Sequence, residues 1–412
     1  MDFLTEFKSR GFFHQATDEA TLTKQFNDKK LTVYIGFDCT ADSLHVGSLM
    51  QIMVIRLLQK HGHQPIILLG GGTTKIGDPS GRDETRRLLD DNGINNNLKG
   101  IEAVFKQFID FDCPNTGAKI VNNNDWLSGL NYIDFLRQVG PHFSINRMLT
   151  FDSVKLRLER EQTLSFLEFN YMILQAYDFV KLAEQHNCTL QIGGSDQWGN
   201  IVNGIELARR LGKNKELYGL TTPLITTSSG AKMGKTASGA IWLTADKLSP
   251  YDYYQFWRNT EDADVIRFIK YFTELDNDKI DELSKLQGQQ INETKKILAY
   301  EATKLCHGAD EAKRSAEAAT KMFEQGSISA NLPTYEVNKD ILQQGIPAYK
   351  LFADSGLCTT GGEAKRIIKG GGGKINDNKI ADAFDNIDTS HLVDDIIKLS
   401  AGKKKHILVK AI

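Results

Sequence analysis

A strand, a glycine-bearing turn, a helix and a second strand packed into some forty residues constrain this chain more than any other feature. Leu31 to Phe37 is short, β-branched and aromatic, as a buried strand is. A helical run begins at about His45, lasts to Lys60 and is closed by Gly62. Leu49 to Leu58 is apolar on nearly every face, which suits a helix wedged between a sheet and its neighbours. Pro65 to Leu69 reads as the next buried strand. Strand, helix and strand at this spacing imply a right-handed crossover and a parallel sheet. Ligands gather at the carboxyl edge of such sheets, and the unpaired N–H groups of a helix start favour phosphate. Tyr34, Asp38, Thr40 and His45 fall on or just beyond that edge. An imidazole there suits ATP, and the missing side chain of Gly47 leaves room for an adenine ring. A purely structural capping role for His45 stays open.

Length and charge bound the rest. A chain of 412 residues is too long for one ordinary core, so two or three domains are expected. The formal charge of -2 leaves nucleic-acid contact to local patches and weighs against a DNA-coating protein. Five scattered cysteines without a C-x-x-C pair argue against a disulfide framework and a zinc site, and fit a reducing cytoplasm. The first residues lack the pattern of a secretory signal, and no run of 18 apolar residues occurs, so neither secretion nor membrane spanning is expected.

Four further stretches carry chemistry. The loop from Gly70 to Gly81 is glycine-rich and places Asp78 where it can meet an ammonium, with Arg82, Arg86 and Arg87 following as phosphate partners. Thr163 to Lys181 reads as a long helix on which Tyr171, Gln175 and Asp178 share one face. That polar trio suggests a pocket wall. Thr189 to Ile192 reads as a strand ending in Gly193-Gly194-Ser195-Asp196-Gln197, where glycines permit close backbone approach and Asp196 can accept from ribose hydroxyls. Pro223 to Thr226 reads as one more strand, before a small-residue loop over 227–240 that carries Lys232 and Lys235. Beyond it the periodicity turns helical, with Ser249-Pro250 as a helix start. Thr360 to Glu363 reads as a capping box in a last unit where 11 Lys/Arg face 8 Asp/Glu over 346–412. Lys365, Arg366 and Lys369 cluster there, and Lys403, Lys404 and Lys405 form a run that is either an RNA contact or a solvated tail.

Together these stretches resemble the class I aminoacyl-tRNA synthetases in their bacterial tyrosyl form. His45-Val46-Gly47-Ser48 resembles the HIGH motif with Ser48 in place of the second histidine, and Lys232-Met233-Gly234-Lys235-Thr236 resembles the KMSKS loop. Gly-Asp-Pro-Ser-Gly at 77–81 and Gln-Ile-Gly-Gly-Ser-Asp-Gln-Trp-Gly-Asn at 191–200 resemble tyrosyl-branch motifs. The resemblance implies an α/β fold: a Rossmann-like parallel-sheet catalytic domain over 1–247, a helical anticodon-side domain over 248–326, a linker over 327–345, and a small α+β RNA-binding domain of the ribosomal S-four type over 346–412. It also implies a dimer-forming insertion at about 118–160, with Trp126 to Phe151 as subunit contact.

The implied reaction is attack of the tyrosine carboxylate on the α-phosphate of ATP, then transfer of tyrosyl to the terminal ribose of tRNA(Tyr). Mg²⁺ would accompany ATP, with no protein-bound metal and no tightly bound cofactor. By motif position, Tyr34 and Asp178 would hold the phenol hydroxyl, with Gly36 lining the same pocket. Asp78, Tyr171 and Gln175 would take the ammonium, and Asp38 and Gln197 the carboxylate side. Thr40 and His45 would meet the γ-phosphate, Lys232, Lys235 and Thr236 the pyrophosphate, and Gly47, Ser48, Gly194 and Asp196 the adenosine. Lys365, Arg366, Lys369, Lys403, Lys404 and Lys405 would meet RNA. Two rivals stay open at this stage: a small-molecule adenylyltransferase, and an RNA-binding protein without catalysis.

Overall fold

The structure, a computed structural model, describes residues 2–80, 89–213, 215–230, 233–236, 239–323, 332–393, 396–402 and 405–411. Arg82, Arg86, Arg87, Lys232, Lys403 and Lys404, assigned above to phosphate or RNA, lie outside the described residues, and Lys235 and Thr236 are described for their backbone alone. The chain forms two compact units, 1–312 and 313–412.

The first unit is built on a six-stranded sheet of β1 (Gln15–Ala16), β2 (Thr32–Phe37), β3 (Gln64–Leu69), β4 (Lys119–Asn122), β5 (Leu190–Gly194) and β6 (Tyr218–Thr222). Their spatial order is β1-β6-β5-β2-β3-β4, parallel throughout except for β1 at the edge. The expected crossover is present: β2 pairs with β3 with Tyr34 opposite Ile66, and the Val46–Lys60 helix between them buries nine of its fifteen residues. Burial of those apolar side chains, worth roughly 1.5–3 kcal/mol each, outweighs the modest propensities of its β-branched residues. The strand expected over Pro223 to Thr226 lies earlier, over Tyr218–Thr222, whose five residues are all buried. Pro223 has no N–H to continue a central ladder, so the strand stops before it.

Helices Pro250–Arg258, Val265–Phe272, Asn277–Ser284 and Ile291–His307 follow in the same unit. Ser249 caps the first by accepting from the Asp252 N–H, with Pro250 at the first helical position. Trp257 is fully buried against the Phe272 and Phe268 rings. Arg10 joins this helical part to the N-terminal helix Phe3–Ser9: its guanidinium donates to the carbonyls of Thr273 and Leu275 at 2.8 and 2.9 Å, while Glu6 accepts from its Nε at 2.9 Å. Those contacts satisfy carbonyls at a helix end that would otherwise lack donors.

The second unit carries a five-stranded sheet in the order Asn378–Lys379, Gly373–Ile375, Ile396–Ala401, Lys405–Ala411, Thr334–Val337. The last of these pairs in parallel with Lys405–Ala411. This corrects the linker expected over 327–345: Thr334–Val337 is an integral strand and Lys339–Gln343 a helix, with Val337 and Leu342 in the core. Helices Ala348–Asp354 and Gly361–Lys369 pack on that core. Thr360 accepts from the Glu363 N–H as expected, but the Glu363 carboxylate turns back to the Thr359 N–H, so the capping box is displaced by one residue. Among the described residues no helix is long and apolar enough to cross a membrane.

Candidate active site

A cavity of about 380 Å³ opens at the carboxyl edge of the sheet. Strand ends, the Val46–Lys60 helix start and the Phe166–His186 helix enclose it. Tyr34, Gly36, Asp38, Thr40, His45, Gly47, Ser48, Asp78, Tyr171, Gln175, Asp178, Gly194, Asp196 and Gln197, drawn from four separate stretches of sequence, all line it.

Its buried end is organised around Asp178 and Tyr34, each 1 % exposed. The Asp178 carboxylate accepts from Asn123 Nδ2 at 2.9 Å and Trp126 Nε1 at 2.8 Å. Burial pushes the Asp178 carboxyl up to about 7, against the pull of those two donors, and the charge of Asp38 adds to the rise. The Tyr34 hydroxyl is raised well above the ordinary tyrosine range, first by burial and then by the Asp178 charge. That hydroxyl has no hydrogen-bond partner among the described residues. A buried hydroxyl left in this way costs about 1–3 kcal/mol, a debt that a hydroxyl-bearing ligand would cancel.

Midway, the Asp38 carboxylate accepts from Thr73 Oγ1 at 3.0 Å and Tyr171 Oη at 3.2 Å. Gln197 Nε2 donates to Asp78 Oδ2 at 3.0 Å and its Oε1 accepts from Gln175 and Asn200. Ser80 N donates to the other Asp78 oxygen at 2.9 Å, the aspartate turn that the Asp-Pro-Ser sequence favours. Two carboxylates, two amides and a phenol thus converge on one cavity wall.

The open end is the turn before the long helix. His45 is its N-cap rather than a first-turn residue, and Nδ1 accepts from the Gly47 N–H at 3.0 Å. In a neutral ring that bond fixes the proton on Nε2. The capping role and a phosphate role are therefore compatible, since they use different nitrogens. Gly47 is required for a nearer reason than adenine: a Cβ there would sit 2.6 Å from His45 Cε1 and 2.8 Å from Nδ1. Gly234, at φ +104°, presses its own Cα face to 2.8 Å from the same Nδ1 if given a Cβ. Val46 N donates to Ile241 O, and Ile241 N to Gly234 O. The His45 turn and the Met233–Thr236 segment, nearly two hundred residues apart, are neighbours.

A family model described as tRNA synthetases class I (W and Y) matches residues 26–324. The chain belongs to this family. It is 57% identical over 411 residues to the tyrosine–tRNA ligase of Rickettsia bellii, covering all of both chains, and 56% identical to that of Caulobacter vibrioides, covering 98% of it. Among solved structures, the C-terminally truncated mitochondrial tyrosyl-tRNA synthetase of Aspergillus nidulans is similar with a TM-score of 0.70 and 31% identity, over 78% of this chain and 94% of that one.

Three residues that hold the cavity's carboxylates are not among the site residues expected from the sequence. Asn123 bonds Asp178 and Thr73 through its amide and accepts from the Gly72 N–H, and Trp126, expected in a subunit contact, donates to Asp178. Thr73 holds Asp38. Asn123 and Trp126 belong to a polar run that follows the edge strand Lys119–Asn122, and no local signal marks which of its residues reach Asp178. In the second unit Arg366 and Lys369 are exposed, whereas the Lys365 ammonium sits over the Tyr349 and Phe384 rings at 4.1 and 4.6 Å.

Proposed function

We propose that this chain is a tyrosine–tRNA ligase, which activates L-tyrosine with ATP and transfers it to the terminal ribose of tRNA(Tyr). The observation that carries this reading is the unpartnered Tyr34 hydroxyl beside an Asp178 held by Asn123 and Trp126, at the buried end of a cavity whose open end is a helix N-terminus capped by His45.

The substrate phenol donates to Asp178 and accepts from Tyr34, with Gly36 leaving space above the strand. Asp78, Tyr171 and Gln175 take the ammonium. Asp38, expected beside the carboxylate, joins them instead: its own charge repels a second carboxylate and attracts a cation. Gln197, whose amide already orients Asp78, remains the neutral donor on the carboxylate side. The carboxylate then attacks the α-phosphate in line, and catalysis is positioning plus charge stabilisation. Thr40 and the Nε2 face of His45 meet the γ-phosphate, while Lys235, with Lys232 and Thr236, follows the pyrophosphate. Mg²⁺ belongs to the ATP substrate and supplies neutralisation of its phosphates. Gly194, Asp196, Gly47 and Ser48 hold the adenosine. A Cβ on Gly194 would lie 2.6 Å from Asp196 Oδ1, so glycine keeps that carboxylate at the ribose position.

The catalytic part is assigned to 1–247, the helices to 248–326 as the anticodon side, and the sheet unit from Thr334 onward to RNA, with Arg366, Lys369 and Lys405 among its exposed cations and Lys365 held back over two rings. Two copies pair through the 118–160 region and the start of the next helix, where Tyr132, Ile133, Ile145 and Phe166 are 60, 60, 64 and 72 % exposed. Five free thiols suit the reducing cytoplasm. Tyrosyl-tRNA formation on a tRNA(Tyr) transcript tests the proposal. Charging with tyrosine is expected, and charging with another amino acid in its place would overturn it.

A further inference from the structure

The segment that leads into the Lys235 strand is tied at its base to the Val265–Phe272 helix, and the residues that tie it belong to no part of the cavity. Asp264 is the N-cap of that helix by position, yet its side chain caps nothing there. An aspartate at a helix start ordinarily accepts from a backbone N–H of its own helix. This one, 2 % exposed, accepts instead from the Ser228 N–H at 2.8 Å and from the Arg267 guanidinium. Arg267 also donates to the Thr226 carbonyl at 2.6 Å, and Ser228 Oγ donates to Glu261 Oε2 at 2.9 Å. The backbone of 226–228 is thus gripped on both its donor and its acceptor side by one helix start.

From that grip a continuous run of backbone hydrogen bonds leads to the His45 turn. Met233 N donates to Ile225 O, Ile241 N to Gly234 O, and Val46 N to Ile241 O, at 3.1, 3.1 and 2.9 Å. At its far end the Val265–Phe272 helix is fixed by Arg10, which donates to the Lys270 and Thr273 carbonyls. We propose that Asp264 and Arg267 are positioning residues for the adenylation step: they hold 226–228, and through it the strand of Lys235, in register with the His45 turn. Neither lines the cavity. A segment fixed at its base delivers its cation to the developing charge with less search at each turnover.

This inference rests on Lys235 acting on pyrophosphate, and the test separates the two. In the full-length chain, Asp264→Asn and Arg267→Gln are compared with wild type by tyrosine-dependent ATP–pyrophosphate exchange and by amide hydrogen exchange over 225–241. We expect kcat to fall about tenfold and the KM for ATP to rise, with the KM for tyrosine unchanged, because the phenol and ammonium contacts lie elsewhere. The amides of 226–234 should exchange faster in both variants. Arg267→Lys, which keeps the cation but not the fork, should recover part of kcat. Variants that lose thermal stability while keeping wild-type kcat and ATP KM would overturn the positioning role. If the wild type itself showed no tyrosine-dependent exchange, the functional reading would fall, and unchanged amide protection in the variants would then overturn the latch separately.

Discussion

At the scale of single residues, the buried end of the cavity holds two groups, Tyr34 and Asp178, whose burial is costly to the ligand-free protein. Tyr34→Phe removes a hydroxyl that has no partner among the described residues. It should leave the ligand-free protein at least as stable as wild type while eroding the preference for tyrosine over phenylalanine by on the order of 1 kcal/mol in kcat/KM. An unchanged preference would move the phenol elsewhere. Asp178 titrates in the folded chain at about 7 because burial disfavours its charge, against an ordinary value of 3.8. Between those two values the folded chain holds a proton that the unfolded chain has released. Stability therefore falls as pH rises across that window, by up to a few kcal/mol once both states are ionised. Melting temperatures of the ligand-free protein from about pH 5 to 8 should decline more steeply for wild type than for Asp178→Asn; parallel curves would refute the raised carboxyl. Tyr171, Gln175 and Asp178 were legible because helical periodicity alone puts them on one face. Asn123 and Trp126 were not, because nothing local marks which residues of a polar loop meet a helix fifty residues away.

At the scale of elements, the His45 turn has two jobs that substitution can separate. His45→Ala removes both the acceptor for the Gly47 N–H and the ring, and should cost about 1 kcal/mol of stability and on the order of 10²-fold in the rate of adenylate formation. Asn at the same place is a strong helix cap. His45→Asn should then restore the stability and not the rate, read by thermal melting and single-turnover adenylation; recovery of both would make His45 a cap alone. The strand–helix–strand unit was readable because its periods are set by chemistry local to forty residues. The displaced sixth strand was not, since Tyr218–Thr222 and Pro223–Thr226 are both apolar enough, and only the ladder with β5 decides between them.

At the scale of the whole molecule, the boundary of the last unit follows its sheet and not the glycines and polar residues of the chain. Because Thr334–Val337 pairs with Lys405–Ala411, a truncation at residue 345 would leave an orphan strand. Deleting 324–412 removes that sheet whole and leaves the Ala309–Phe323 helix in place. The shortened protein should keep tyrosine-dependent pyrophosphate exchange near wild type while tRNA charging falls at least tenfold, as expected when phosphate contacts are lost. Full charging would refute the RNA role. The exposed apolar side chains of 132–167 call for a partner, and Ile145→Asp should shift the protein from dimer to monomer in sedimentation at micromolar concentration. A wild type that already sediments as a monomer would refute pairing. The central claim is that the cavity beneath His45 activates tyrosine and no other amino acid. It is tested most directly by ATP–pyrophosphate exchange run with each of the twenty amino acids in turn on the full chain. Exchange should depend on tyrosine, with phenylalanine at background. Equal exchange with phenylalanine, or exchange driven by a different amino acid, would contradict it.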